Sequence, residues 1–152
     1  MECRRRMDNQ IVVKVKRLVP EGELPRQAKE GDAAFDLFSV VEYIIQPGET
    51  YGVPTGIALE IPQGYEGQVR PRSGLALKNG ITITNSPGTI DSGYRGEVKI
   101  IIHNLGKDAF SITRGMRIAQ IAIRPVPEVR FVEVADLEDS ERGAGGFGST
   151  GT

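Results

Sequence analysis

Tryptophan is absent from this chain of 152 residues, and cysteine and histidine occur once each, as Cys3 and His103. One cysteine excludes an internal disulfide framework and a thiolate zinc cluster, and makes a reducing, cytoplasmic setting the expectation. One imidazole excludes metal and acid–base sites built on several. An excess of either charge is also missing: 19 Lys and Arg stand against 20 Asp and Glu, a net charge of -1. No global field therefore draws the chain to nucleic acid or to an anionic membrane. The local exception is the basic run from Cys3 to Arg6, which lacks the apolar stretch of a signal peptide and reads as a solvated terminus before it reads as a nucleic-acid arm. No apolar run reaches membrane-spanning length. Neither GxGxxG joining a strand directly to a helix nor GxxxxGK(S/T) occurs, which removes the common dinucleotide and nucleoside-triphosphatase loops. Internal repeats are absent as well.

What is present is an ordinary globular composition, 39% apolar and 26% charged, in a length that fits one domain. Ile11 to Lys16 alternates as a strand does. Further extended candidates are Ala33 to Val40, Tyr43 to Ile45, Tyr51 to Val53, Gly56 to Ile61, Tyr65 to Arg70 and Gly80 to Thr84. Glu97 onward follows, to a turn at Asn104-Leu105-Gly106, then Phe110 to Ile112, Arg117 to Ile123 and a last strand from Phe131 in FVEVADL. Pro47-Gly48, Pro62 and Gly64 punctuate them. Short strands at regular spacing with Gly/Pro turns predict an all-β sandwich or jelly roll. Only Gly74 to Asn79, after PRSG, can form a short helix. Ile118, Ile121 and Ile123 cannot share one face of a regular strand, so either both faces are covered, as by a second subunit, or a bulge shifts the register. The expected divisions are an N-terminal extension over 1–10, a β domain over 11–140 and a glycine-rich segment over 141–152.

Several polar segments admit more than a loop reading. In PRSGLA, Ser73 can cap the helix, its open N–H groups can take an anion, and Arg72 adds a fork of donors suited to phosphate; the plainer alternative is a cap beside a surface arginine. In NSPGTIDSGYRGE, Asp91 to Tyr94 reads as a hairpin tip presenting a carboxylate and a ring, or as an ordinary Asp-x-Gly turn. Asp36 in AFDLFS sits among apolar neighbours and needs a partner, most simply an arginine. Gln120 in GMRIAQ must be hydrogen-bonded or face a cleft. His103 reads as structural, because no Ser or Asp pattern accompanies it. The segment RGAGGFGSTG, from Arg142 to Gly151, is too rich in glycine for a helix or strand. Its backbone N–H groups, Ser149, Thr150, Arg142 and Phe147 would suit a lid over phosphates and a ring; a disordered tail is the alternative.

Taken together, AAFDLFS, PRSGLA, NSPGTIDSGYRGE, GMRIAQ and RGAGGFGSTG, in that order, resemble the trimeric all-β dUTPase family over about Ile11 to Thr150. The resemblance implies a jelly-roll-like β-barrel, a homotrimer with sites between subunits, and hydrolysis of dUTP to dUMP and diphosphate, which keeps uracil out of DNA. Mg²⁺ is the implied cofactor, held by the triphosphate and waters and not directly by the protein. On that resemblance Asp91 orients the attacking water and holds the 3′-OH, Tyr94 packs on the sugar and excludes a 2′-OH, and Asn85 with the backbone around Gly88, Thr89 and Ile90 reads uracil. Thymine's methyl group and cytosine's donor would not match that pocket. Arg72, Ser73, Gly74 and Gln120 attend the phosphates, Lys99 belongs to the substrate-binding set, and Asp36 supports the architecture and the metal's water shell. Arg142, Phe147, Gly148, Ser149 and Thr150 form the lid. Two positions depart from the family pattern: Ala34 replaces the usual glycine of the first motif, and Gly93 replaces the second Asp of Asp-Ser-Asp-Tyr. The alternatives are a dCTP deaminase, which would need a pocket glutamate, a silent nucleotide-binding relative, and a structural β-sandwich subunit.

Overall fold

The computed structural model describes residues 10–149 and 151. The basic run at 3–6 and Thr150 fall outside them. Ten strands and one helix follow in order: β1 Lys14–Arg17, β2 Phe35–Phe38, β3 Tyr43–Ile45, β4 Thr50–Glu60, β5 Tyr65–Arg70, α1 Ser73–Asn79, β6 Ile81–Ile83, β7 Gly88–Ile90, β8 Glu97–Asn104, β9 Phe110–Ile112 and β10 Arg117–Pro125. One four-stranded sheet has the order β1-β4-β8-β6, a second has β2-β10-β5-β7, and β3 pairs with β9. All the pairings between these strands are antiparallel. The result is an all-β, jelly-roll-like arrangement with one short helix. Among the described residues the ladders stay separate and do not run round into one closed barrel. No helix among these residues is long and apolar enough to cross a membrane.

The core lies between the two larger sheets. Strand β8 alternates as its sequence does, with Val98, Ile100 and Ile102 buried and Lys99 and Ile101 exposed. They pack in one cluster with Val53, Ile57 and Leu59 of β4, Leu37 of β2 and Ile121 of β10. Side chains of this size each contribute roughly 1.5–3 kcal/mol when fully buried. The apolar run in β10 is resolved by a register shift between Arg117 and Ala119, which lets Ile118 and Ala119 both be buried.

Two expectations change. Tyr51 to Val53 and Gly56 to Ile61 are a single strand, β4, although Pro54 lies inside it. Its ladder with β8 slips between Pro54 and Ala58, and a proline is tolerated where a ladder is already interrupted. Gly56 takes φ +68° there, a conformation open to glycine. The interruption is covered by side chains: Gly56 N–H donates to Glu97 Oε1 (3.0 Å), and Thr55 Oγ1 donates to the Val98 carbonyl (2.6 Å). FVEVADL, by contrast, is not a strand. Phe131 is 96% exposed and Leu137 87%. Alternation alone makes no strand when neither edge of the segment finds a ladder partner, and among the described residues neither does.

The turn after β8 does form where the sequence places it, and one side chain holds it. Asn104 is fully buried; its Nδ2 donates to the carbonyls of Ile45 (3.0 Å) and Asp108 (2.9 Å), and its Oδ1 accepts from Gly106 N–H (2.9 Å). Asn104→Leu keeps the branched outline, though with bulkier ends, and leaves those buried groups unpaired. It is expected to destabilise the fold by about 2–3 kcal/mol, read as a lower urea midpoint at fixed protein concentration, and an unchanged midpoint would contradict this role.

Candidate functional site

The polar residues singled out in the sequence gather at two clefts, one on each side of β5. The first, of about 550 Å³, is lined by Asn85, Gly88, Thr89, Ile90, Asp91, Tyr94 and Lys99. Strand β7 carries Gly88 to Ile90 and β8 carries Lys99, while Asn85 precedes β7, Asp91 and Tyr94 lie on the stretch between the two strands, and Val69 of β5 forms part of the wall. The second, of about 380 Å³, is lined by Asp36, Arg72, Ser73, Gly74 and Gln120, with Arg70 and Asp32 besides. Val69 and Arg70 are neighbours on one strand, and consecutive strand residues point to opposite faces. Arg142, Phe147, Gly148 and Ser149 line neither cleft.

The first cleft turns on the stretch from Asp91 to Gly96. It is not a hairpin tip: β7 pairs with β5, whereas β8 pairs with β4 and β6, so the stretch crosses from one sheet to the other. The partner of a strand is set by long-range packing, which a local turn pattern does not report. Tyr94 N–H donates to the Asp91 carbonyl (3.1 Å) and closes the turn. The Tyr94 ring then folds back along the chain, and its hydroxyl donates to the Glu97 carbonyl (3.0 Å). This needs a residue without a side chain at position 96, where a Cβ would stand 2.5 Å from the Tyr94 hydroxyl.

The second cleft is built on a row of in-register residues. Gln120 of β10 faces Asp36 of β2 on one side and Arg70 of β5 on the other. Gln120 both bonds and faces the cleft, its Nε2 donating to the Pro71 carbonyl (2.9 Å). Asp36, with its side chain 11% exposed, has the arginine partner its burial requires, and a second one too. Arg72 Nε is 3.2 Å from Oδ1 and Arg117 Nη1 is 3.5 Å from Oδ2. Arg117 lies in a quoted motif, but the sequence gives no sign that it meets Asp36. Arg70 and Asp32 also went unrecognised.

Helix α1 differs from expectation at its start. Arg72 occupies the cap position without a side-chain cap bond, and Ser73 is the first helical residue. The Ser73 side chain is exposed and makes no hydrogen bond among the described residues. His103 is structural, as its surroundings suggest: Nδ1 meets Thr50 Oγ1 at 2.8 Å across β4 and β8. Over residues 141–149 the glycine-rich segment is a series of bends and turns. Arg142 Nε donates to the Gly145 carbonyl (2.9 Å), while Phe147 is fully exposed at φ 51°.

The fold and the paired clefts define an antiparallel β protein with one cleft bearing a carboxylate and a phenol and the other a buttressed arginine. A dUTPase family model matches residues 20–151. The deoxyuridine 5'-triphosphate nucleotidohydrolase of Clostridium kluyveri is 58% identical over 138 residues, 91% of this chain and 96% of that protein. The enzyme of the same name from Clostridium acetobutylicum is 56% identical over 141 residues, 93% of this chain and 97% of the other. Among solved structures, a mutant dUTPase of Staphylococcus bacteriophage 80alpha with dUpNHpp superposes at a TM-score of 0.86 and 30% identity, covering 93% of this chain and 99% of that one. The chain belongs to the dUTPase family.

Gly96→Ala is expected to push the Tyr94 ring off the backbone and break its bond to the Glu97 carbonyl. One hydrogen bond is worth about 1 kcal/mol, so the thermal midpoint should fall by about 2–4 °C. A crystal structure of the variant with the ring unmoved would refute the close approach.

Proposed function

We propose that the protein hydrolyses dUTP to dUMP and diphosphate, and that it does so as a homotrimer with shared sites. The observation that carries this reading is the gathering of Asn85, Thr89, Asp91, Tyr94 and Lys99 at one cleft of a dUTPase-family chain. That cleft has the volume of a small-molecule site.

Asp91 orients a water and takes its proton as the water attacks the α-phosphorus in line; the bond to the bridging oxygen breaks and diphosphate leaves. Tyr94 packs on the deoxyribose and leaves no room for a 2′-OH. Asn85 and the β7 backbone pair with the uracil edge, and a buried mismatch rejects cytosine. Arg72 presents its guanidinium to phosphate oxygens, with Asp36 fixing its direction. Ser73 and Gln120 add donors. Phe147 closes over the base with Arg142, Gly148, Ser149 and Thr150, excluding bulk water.

The donor set fits a magnesium ion that arrives on the substrate. Asp36 is committed to two arginines, Asp32 accepts from Lys29 N–H, and Glu97 accepts from Gly56 N–H. Mg²⁺ keeps most of its waters and needs few carboxylates. Triphosphate oxygens and waters would hold it, with Asp36 beside the water shell, and it would supply charge neutralisation at the phosphates.

Two features support the shared site. The two residue sets line separate clefts, one toward β7 and one toward β10, and a ligand bridging two copies would meet both sets without any change of the fold. Phe131, Val134 and Leu137 are exposed, as is Leu77 of α1, and a partner subunit would bury such surface.

With Mg²⁺ present, diphosphate release is expected from dUTP at a kcat/KM at least about a hundredfold above that for dTTP, dCTP or UTP. Asp91→Asn should lower kcat by about 10²–10⁴-fold with little change in KM. Ammonia released from dCTP would reverse the reading. A 1:1 mixture of Arg72→Ala and Asp91→Asn chains, after subunit exchange, should recover about one quarter of wild-type activity, because each site then draws the two residues from different chains at random. No recovery after confirmed exchange would mean that each chain holds its whole site.

A further inference from the structure

Arg95 lies between the two ends of the turn and in none of the roles above. Its Nη1 donates to the carbonyls of Ser92 (2.6 Å) and Tyr94 (3.1 Å). Its Nη2 faces Glu60 Oε1 at 3.5 Å, and Glu60 Oε2 holds Lys14 Nζ at 2.9 Å. One guanidinium thus gathers two turn carbonyls and ties them to the end of β4, where Lys14 and Glu60 are paired in register. The planar fork of arginine suits three acceptors at once; a lysine ammonium is a point charge. Besides these contacts, the turn is held by the Tyr94 N–H bond to Asp91 and the Tyr94 hydroxyl bond to Glu97. Both of those bonds run within the turn or into the strand that follows it. Arg95 makes the side-chain link from the turn across to β4.

We infer that Arg95 is a positioning residue: by clamping the Ser92 and Tyr94 carbonyls to Glu60, it sets the Tyr94 ring against the sugar and so sharpens discrimination between a deoxyribose and a ribose. The inference rests on the dUTP-hydrolysing reading and extends it to a residue that need not touch the substrate. Arg95 and Glu60 are half-exposed, with side chains 54% and 44% accessible, so their loss should loosen the turn and leave the core intact. The hydrogen bond from Lys14 holds the Glu60 carboxyl below its ordinary range, and the clamp is therefore charged at neutral pH.

The test compares kcat and KM for dUTP and UTP in the full-length wild type, Arg95→Ala, Arg95→Lys and Glu60→Gln, with Mg²⁺ and with folding checked by circular dichroism. Arg95→Ala is expected to lower the dUTP-to-UTP ratio of kcat/KM by about tenfold. Arg95→Lys should restore part of that ratio, and Glu60→Gln should lose less of it than Arg95→Ala. A merely structural contribution would slow both substrates alike; that result, or a ratio within about twofold of wild type, overturns the inference. If Arg95→Ala fails to fold, unchanged ratios in both Arg95→Lys and Glu60→Gln overturn it equally. A wild-type chain that turns over no dUTP would sink the functional reading itself, a different outcome from an active wild type insensitive to Arg95.

Discussion

A single carboxylate covers the break in the β1-β4-β8-β6 sheet. Where β4 slips against β8, the Gly56 N–H would lack a ladder partner, and Glu97 Oε1 supplies one. The same residue's carbonyl receives the Tyr94 hydroxyl. Glu97 is thus the joint between the interrupted strand and the turn that lines the first cleft. Thr55 locks the next step by donating to the Val98 carbonyl, so the start of β8 is held at two successive residues. Register is the quantity at stake. A slip of one residue would turn Val98, Ile100 and Ile102 outward and Lys99 inward, emptying the core and removing Lys99 from the cleft together. Core and site are therefore fixed by the same few bonds.

The second cleft depends on burial of charge. Placing Asp36 among Leu37, Phe38 and their neighbours is costly unless the carboxylate is paired, and replacing the carboxylate and its arginines together by hydrophobic residues of similar volume would often be no less stable. Two arginines at one carboxylate leave positive charge over. Arg72, 28% exposed, has its Nε on Asp36 and its Nη1 on the Arg117 carbonyl (3.2 Å), which leaves Nη2 as its free donor group among the described residues. The arrangement exchanges some stability for a guanidinium whose direction is set, which suits an anion-binding role better than a mobile surface arginine would.

Legibility in the sequence followed the distance over which each feature is decided. The alternation of Glu97 to Asn104 was readable because period and burial are both local. So was the first cleft: Asn85 to Tyr94 are close along the chain, and their residue types state their chemistry. The Asp36–Arg117 contact was not readable, since it joins residues 81 apart through the β2–β10 pairing. Pro54 and Gly56 made one strand look like two, because turn-forming residues also serve at a ladder slip. The turn at Asp91 was recognised, but its two strands were assigned to each other when they belong to different sheets. In each case the missing information was the partner, which only the assembled sheets supply.

The segment from Phe131 to Leu137 carries that reasoning one step further. Its alternating apolar pattern is as strand-like as that of β1, yet among the described residues it pairs with nothing, and Phe131 and Leu137 are exposed. Exposing large apolar side chains forfeits roughly 25 cal/mol for every Å² that burial would have removed from solvent. The strands at the edges of the two larger sheets, β1, β6, β2 and β7, also leave backbone groups on their outer sides, with β2 partly covered where Asp36 N–H donates to the Arg26 carbonyl (2.8 Å). Association would bury such strand-like surplus and cover such open edges. On the shared-site reading it would also bring together the halves of the site that the folding of one copy builds.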